Sequence, residues 1–149
     1  MLYNLLKRSY WPAIVWLVFI FVLLVLPSKD VQAPSSFSLF LSRIHADKIV
    51  HFCLFGALVG LWTIPYASRH TPTANTRFFL IICIAACAFG ATMEWVQLRF
   101  TDRDYENMDI VADSCGAISG MIVSMLWVKA RRRREVKDLA EVAHDANRP

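Results

Sequence analysis

Four apolar runs set the problem for this chain: Tyr10 to Leu26, Ile49 to Pro65, Phe78 to Val96 and Met108 to Val128. The first is 17 residues without a charge. About 17 to 25 residues of helix cross a hydrocarbon core. In lipid, a segment must satisfy its own backbone, which leaves a helix or a closed barrel. Barrel strands alternate apolar and polar residues. These runs do not, so they read as four transmembrane helices in a compact all-α bundle.

Composition agrees. Of 149 residues, 56% are hydrophobic and 19% charged, with mean hydropathy +0.42. Soluble domains are nearer one quarter charged. The chain reads as one integral membrane domain, residues 1–128, followed by a basic tail, residues 129–149. Cys53, Cys83, Cys87 and Cys115 fall inside the apolar runs with no CxxC pair. Such spacing is neither a zinc site nor a disulfide framework. They read as small packing residues.

The first run has a second reading, a cleaved signal peptide. The A-x-A-like site nearby is Val31-Gln32-Ala33, and Pro34 after it hinders cleavage. The run also exceeds an ordinary signal core of about 7 to 15 residues. An uncleaved span is the expectation. In the following connection, Ser36 is a plausible N-cap, and Phe37, Phe40, Leu41 and Ile44 share a helical face. That pattern predicts a short interfacial helix, with an irregular loop as the alternative.

Lys and Arg set the orientation. With four spans, both termini share a side. That side holds Lys7, Arg8, Arg69, Arg77, Lys129, Arg131 to Arg134, Lys137 and Arg148, which is 11 of the 16 basic residues. The richer side is cytoplasmic, so the chain reads as N-in and C-in within a bacterial inner membrane. The run Arg131 to Arg134 is expected to touch anionic lipid. A basic cluster just inside a span needs no nucleic-acid partner, and none is expected.

Ionisable residues inside apolar segments are expensive and mark function. Asp47, Lys48 and His51 open the second run. Glu94 and Gln97 close the third, Asp109 and Asp113 open the fourth, and Arg103 lies between. All fall at the outer depth. At 100° per residue, Asp47 shares a face with His51, Glu94 with Gln97, and Asp109 with Asp113. The small residues Gly90, Gly116 and Gly120 continue two of these faces, predicting close packing of the third and fourth helices. Gly56 and Gly60 point roughly 140° to 180° from His51 by the same arithmetic, so they are expected to meet the first helix or a second copy in a homo-oligomer.

These groups suit more than one chemistry. The carboxylates accept hydrogen bonds, His51 can change charge near neutral pH, and Arg103 can grip a phosphate or carboxylate. Three readings stay open: a ring of mutual bonds holding the bundle, a pocket for an outer-leaflet head group, and an enzyme with His51 and Glu94 as acid and base. No HxxxH or HExxH spacing supports a metal, and neither a metal nor another cofactor is expected.

Two stretches, DKIVHFCLFGALVGL (Asp47 to Leu61) and E-x2-Q-x5-R-x5-D-x3-D-x2-G-x3-G (Glu94 to Gly120), resemble the VanZ-like family of small bacterial membrane proteins. The resemblance covers residues 47 to 127. It matches Asp47, Lys48, His51, Phe52, Glu94, Gln97, Arg103, Asp109, Gly116 and Gly120. Asp113 departs from it, since the family usually carries Asn there. The family is named for a member associated with teicoplanin resistance. The resemblance implies a small envelope membrane protein with a link to glycopeptide susceptibility; the polar residues make a non-enzymatic protein that binds the head group of a membrane lipid, a lipid-linked envelope precursor or a lipopeptide the leading expectation. It implies no established reaction.

Overall fold

A computed structural model describes residues 9–25, 46–67, 69, 70, 72–101 and 106–146. Its elements are four α-helices: α1 Trp11–Val25, α2 Ala46–Ala67, α3 Pro72–Phe100 and α4 Asn107–Ala146. No strand occurs among the described residues. The interfacial helix expected after Pro34 lies outside them.

Three helices, α2, α3 and α4, are long and apolar enough to cross a membrane. The described α1 has 15 residues, about 23 Å at 1.5 Å per residue, against a core of about 30 Å. Large apolar side chains stand outward along these helices, among them Ile49, Ile81, Ile84, Val111, Ile122, Val123 and Leu126. A soluble fold would bury such stripes; lipid accepts them.

Local chemistry sets several helix ends. Ser9 Oγ accepts the Trp11 amide at 3.2 Å, an N-cap in front of Pro12, whose missing N–H is harmless in a first turn. Pro72 opens α3 for the same reason. Three boundaries differ from the sequence reading. α2 continues through Pro65 to Ala67, because proline disturbs the turn before it more than the turn after. α3 starts at Pro72, six residues before Phe78. Most of the basic tail is helix, since α4 runs 40 residues without a break. Lys, Arg, Glu, Leu and Ala are strong helix formers, and Arg131 pairs with Glu135 one turn on at 2.9 Å.

Contacting pairs give the chain directions. Trp16 donates its indole N–H to the Leu54 carbonyl at 3.0 Å, and Tyr10 stacks on Trp62, so α1 and α2 are antiparallel. Phe55 meets Phe89 and Tyr66 stacks on Phe78, so α2 and α3 are antiparallel. α2 and α4 run in the same direction and share the most extensive helix contact. The core between them holds Ile20, Leu54, Phe55, Leu58, Val59, Ala86, Met93 and Ala117.

Glycines permit that contact. A Cβ on Gly116 would lie 2.9 Å from the Phe52 Cα, and one on Gly120 2.9 Å from the Gly56 Cα. One on Gly56 would lie 3.2 Å from the Gly116 carbonyl oxygen. Two backbones therefore touch directly. This corrects the expected packing: Gly116 and Gly120 meet α2 rather than α3, and Gly56 meets α4 rather than α1 or a second copy. The arithmetic had taken His51 as the centre of the α2 face. The centre is Phe52, Gly56 and Gly60, spaced by four, and His51 sits about 100° to one side of Phe52, over the seam toward α3. Gly90 of α3 does face α4, through Asp113.

Candidate functional site

The polar groups converge where α2 begins, α3 ends and α4 begins. α2 supplies the adjacent Asp47 and Lys48, and His51 about one turn on. α4 runs the same way and supplies Asp109 and Asp113, also about one turn apart. Lys48 thus stands beside Asp109, and His51 beside Asp113.

Asp113 and His51 form the innermost pair. Nδ1 of His51 is 2.9 Å from Oδ1 of Asp113, and both residues are almost fully buried. Nε2 of the same ring lies 3.9 Å from Oδ2 of Asp109. The imidazole thus stands between two carboxylates. The other oxygen of Asp113, Oδ2, is buried with no hydrogen-bond partner among the described residues. It faces Gly90, where a Cβ would come within 2.7 Å. A larger residue on α3 would occupy the space this carboxylate uses.

Lys48 forms the outer layer. Its ammonium is paired with Asp109 and Glu106, and with Asp47 at 3.3 Å. Asp109 is buried, while Asp47 and Glu106 are exposed. Lys48 therefore links a buried acid to the two acids at the mouth. Asp109 also lies in the first turn of α4, where the helix dipole favours negative charge.

Glu94 brings in α3. One of its oxygens accepts the Glu106 amide at 3.3 Å, which fixes the segment entering α4. It is buried. Gln97, one turn further, points elsewhere. Its amide donates to the Leu24 carbonyl at 2.8 Å, in the last turn of the described α1. Gln97 thus ties α3 to α1. Arg103 lies outside the described residues.

The structure brings Asp47, His51, Glu94, Asp109 and Asp113 together, and adds Lys48 and Glu106. The sequence reading named Lys48 at this depth but gave it no role. Its signal was a lysine one residue after an aspartate at the start of an apolar helix. Glu106 carried only its sign.

Asp47, His51 and Asp109 each offer an atom within 4.8 Å of the others, a grouping that could hold a divalent cation. The ligands come from two helices, so no short motif announced them. Lys48 already places a positive charge against Asp47 and Asp109.

No known protein family, curated protein or solved structure matches this chain.

Proposed function

We propose that this chain is a VanZ-like protein of the bacterial inner membrane, with four spans and both termini in the cytoplasm. Its polar cluster then opens toward the outer face and binds the head group of a lipid-linked or amphiphilic envelope molecule.

The charge balance carries this reading. Among the described residues, the carboxylates Asp47, Glu94, Glu106, Asp109 and Asp113 gather around two groups that can be positive, Lys48 and His51. One carboxylate oxygen, on Asp113, has no donor among the described residues. Uncompensated buried charge is expensive. The ligand chemistry that suits this surplus is a head group bearing an ammonium or several hydroxyl donors. It meets Asp47, Lys48 and Glu106 at the mouth, with His51, Asp109 and Asp113 as the floor. Arg103, four residues after Arg99 and three before Glu106, is assigned to any anionic part of the same head group, where its planar fork fits a phosphate or carboxylate. Binding of an envelope intermediate is also the route by which such a protein would alter glycopeptide susceptibility.

The catalytic alternative, with His51 and Glu94 as acid and base, is less well supported. Each is 2% exposed, and each already has a protein partner. The remaining alternative is a structural or oligomeric partner.

A photo-crosslinking residue at Asn107, exposed at the mouth, separates these readings in cells. The expected adduct is an amphiphile, identified by mass spectrometry and lost in Asp109→Asn. Adducts to protein alone would refute the binding reading in favour of the oligomeric one.

A further inference from the structure

At the end opposite the polar cluster, α3 and α4 enclose an open groove of about 600 Å³, within the range of small-molecule sites, about 300 to 1,000 Å³. Phe79 of α3 and Met125, Val128 and Val136 of α4 give it an apolar wall, and Lys129 and Arg133 stand on its rim. We propose that this groove is a binding site for one anionic phospholipid, its phosphate held by Lys129 and Arg133 and an acyl chain lying against Val128 and Met125.

The basic run is not uniform, and this selects the two residues. Arg131 pairs with Glu135 at 2.9 Å and lies over the Trp127 ring at 5.6 Å. Arg132 also lines the groove, but its guanidinium donates to the His70 carbonyl at 2.6 Å. Both are held by the protein. Lys129 and Arg133 are one turn apart on a single face and have no hydrogen-bond or ion-pair partner among the described residues. Two positive groups without protein counter-charges, above an apolar wall, match a ligand that is anionic at one end and hydrocarbon at the other.

Position in the helix agrees. Met125 and Val128 belong to the last apolar turns of α4, and its charged continuation begins at Lys129. Trp127 and the Tyr66–His70–Phe78 stack lie at the same level, as aromatic residues do at a membrane surface. A lipid in the adjoining leaflet would place its phosphate at the rim and its chain along the wall without leaving the bilayer. This site is separate from the polar cluster and does not depend on its proposed role.

The full-length protein in detergent, studied by native mass spectrometry, provides the test. Phosphatidylglycerol and phosphatidylcholine are compared, with glycerol 3-phosphate as the head group alone. Phosphatidylglycerol is expected to bind as a single tight adduct and phosphatidylcholine weakly. The Lys129→Gln/Arg133→Gln double variant should bind phosphatidylglycerol about 30-fold less tightly, from about 1 kcal/mol for each basic residue near an anionic head group. Arg131→Gln removes the same kind of charge outside the groove and should change binding less than about twofold. Both positions of the double variant are exposed, and its melting temperature serves as the folding control. Equal retention of the two lipids would overturn the proposal. So would an Arg131→Gln loss as large as one from Lys129 or Arg133, which would reduce the effect to general attraction. Full competition by glycerol 3-phosphate at lipid concentrations would also overturn it, because the wall would then contribute nothing.

Discussion

His51 and Asp113 lie 62 positions apart in the chain and 2.9 Å apart in space, sealed at 2% and 1% exposure between two parallel helices. Their bond lies beside the point where Phe52 and Gly116 bring the backbones of α2 and α4 together, with His51 next to Phe52 and Asp113 three residues before Gly116. The glycine contact and the polar pair therefore act on the same interface. Close backbones place the imidazole at bonding distance, and the bond fixes the register of the glycines.

Removing one member of this pair leaves the other buried without its partner. His51→Ala should destabilise the protein by about 3 kcal/mol, the lower end of the range for broken buried pairs, since chains unfolded within a membrane find substitute partners. Unfolding of the purified protein in mixed micelles measures this. Wild-type stability would show that Asp113 obtains its compensation elsewhere.

The glycines should respond in order of their clearance. Gly120→Ala forces a Cβ against the Gly56 backbone and should lower the melting temperature clearly; Gly120→Leu should prevent assembly. Gly60→Ala should be tolerated, since its Cβ meets only the Ser124 hydroxyl at 3.8 Å. Equal tolerance at positions 60 and 120 would mean that α2 and α4 do not touch there.

Gly90 offers a paired test across α3 and α4. Gly90→Ala should destabilise, because its Cβ enters the space of the Asp113 carboxylate. Shortening that side chain with Asp113→Ser should make the same Gly90→Ala change nearly harmless. Independent, additive effects in thermal melts would separate the two residues.

Much of this site was legible because ionisable residues inside apolar runs are so expensive that their presence carries information. His51, Glu94, Asp109 and Asp113 could be placed at one depth by counting alone. Which helices meet could not be counted. Phase arithmetic fixes angles within one helix, and the partner of a face depends on which stripe permits backbone contact; Phe52, Gly56 and Gly60 decided that, not His51. Gln97 shows a further limit. Its bond to Leu24 depends on where α1 ends in space, which no spacing within α3 encodes. Lys48 was visible, but its reach to Glu106 requires the turn into α4.

The distribution of basic residues predicts the sidedness, and cysteine labelling tests it. In a background with Cys53, Cys83, Cys87 and Cys115 replaced, single cysteines at Asn107 and Arg77 are treated with an impermeant thiol reagent on intact cells. Position 107 should label from outside, and position 77 only after permeabilisation. The reverse pattern would place the polar end in the cytoplasm.

The central claim is that α2, α3 and α4 share one coupled polar network rather than three separate polar patches. A double-mutant cycle across α3 and α4 with Glu94→Gln and Asp109→Asn, read as unfolding free energy in mixed micelles, tests it most directly. The two carboxylates are joined through Glu106 and Lys48. Their effects should depart from additivity by about 0.5 to 3 kcal/mol, as contacting groups do. Additivity within about 0.3 kcal/mol would contradict the network and leave each acid a local feature of its own helix.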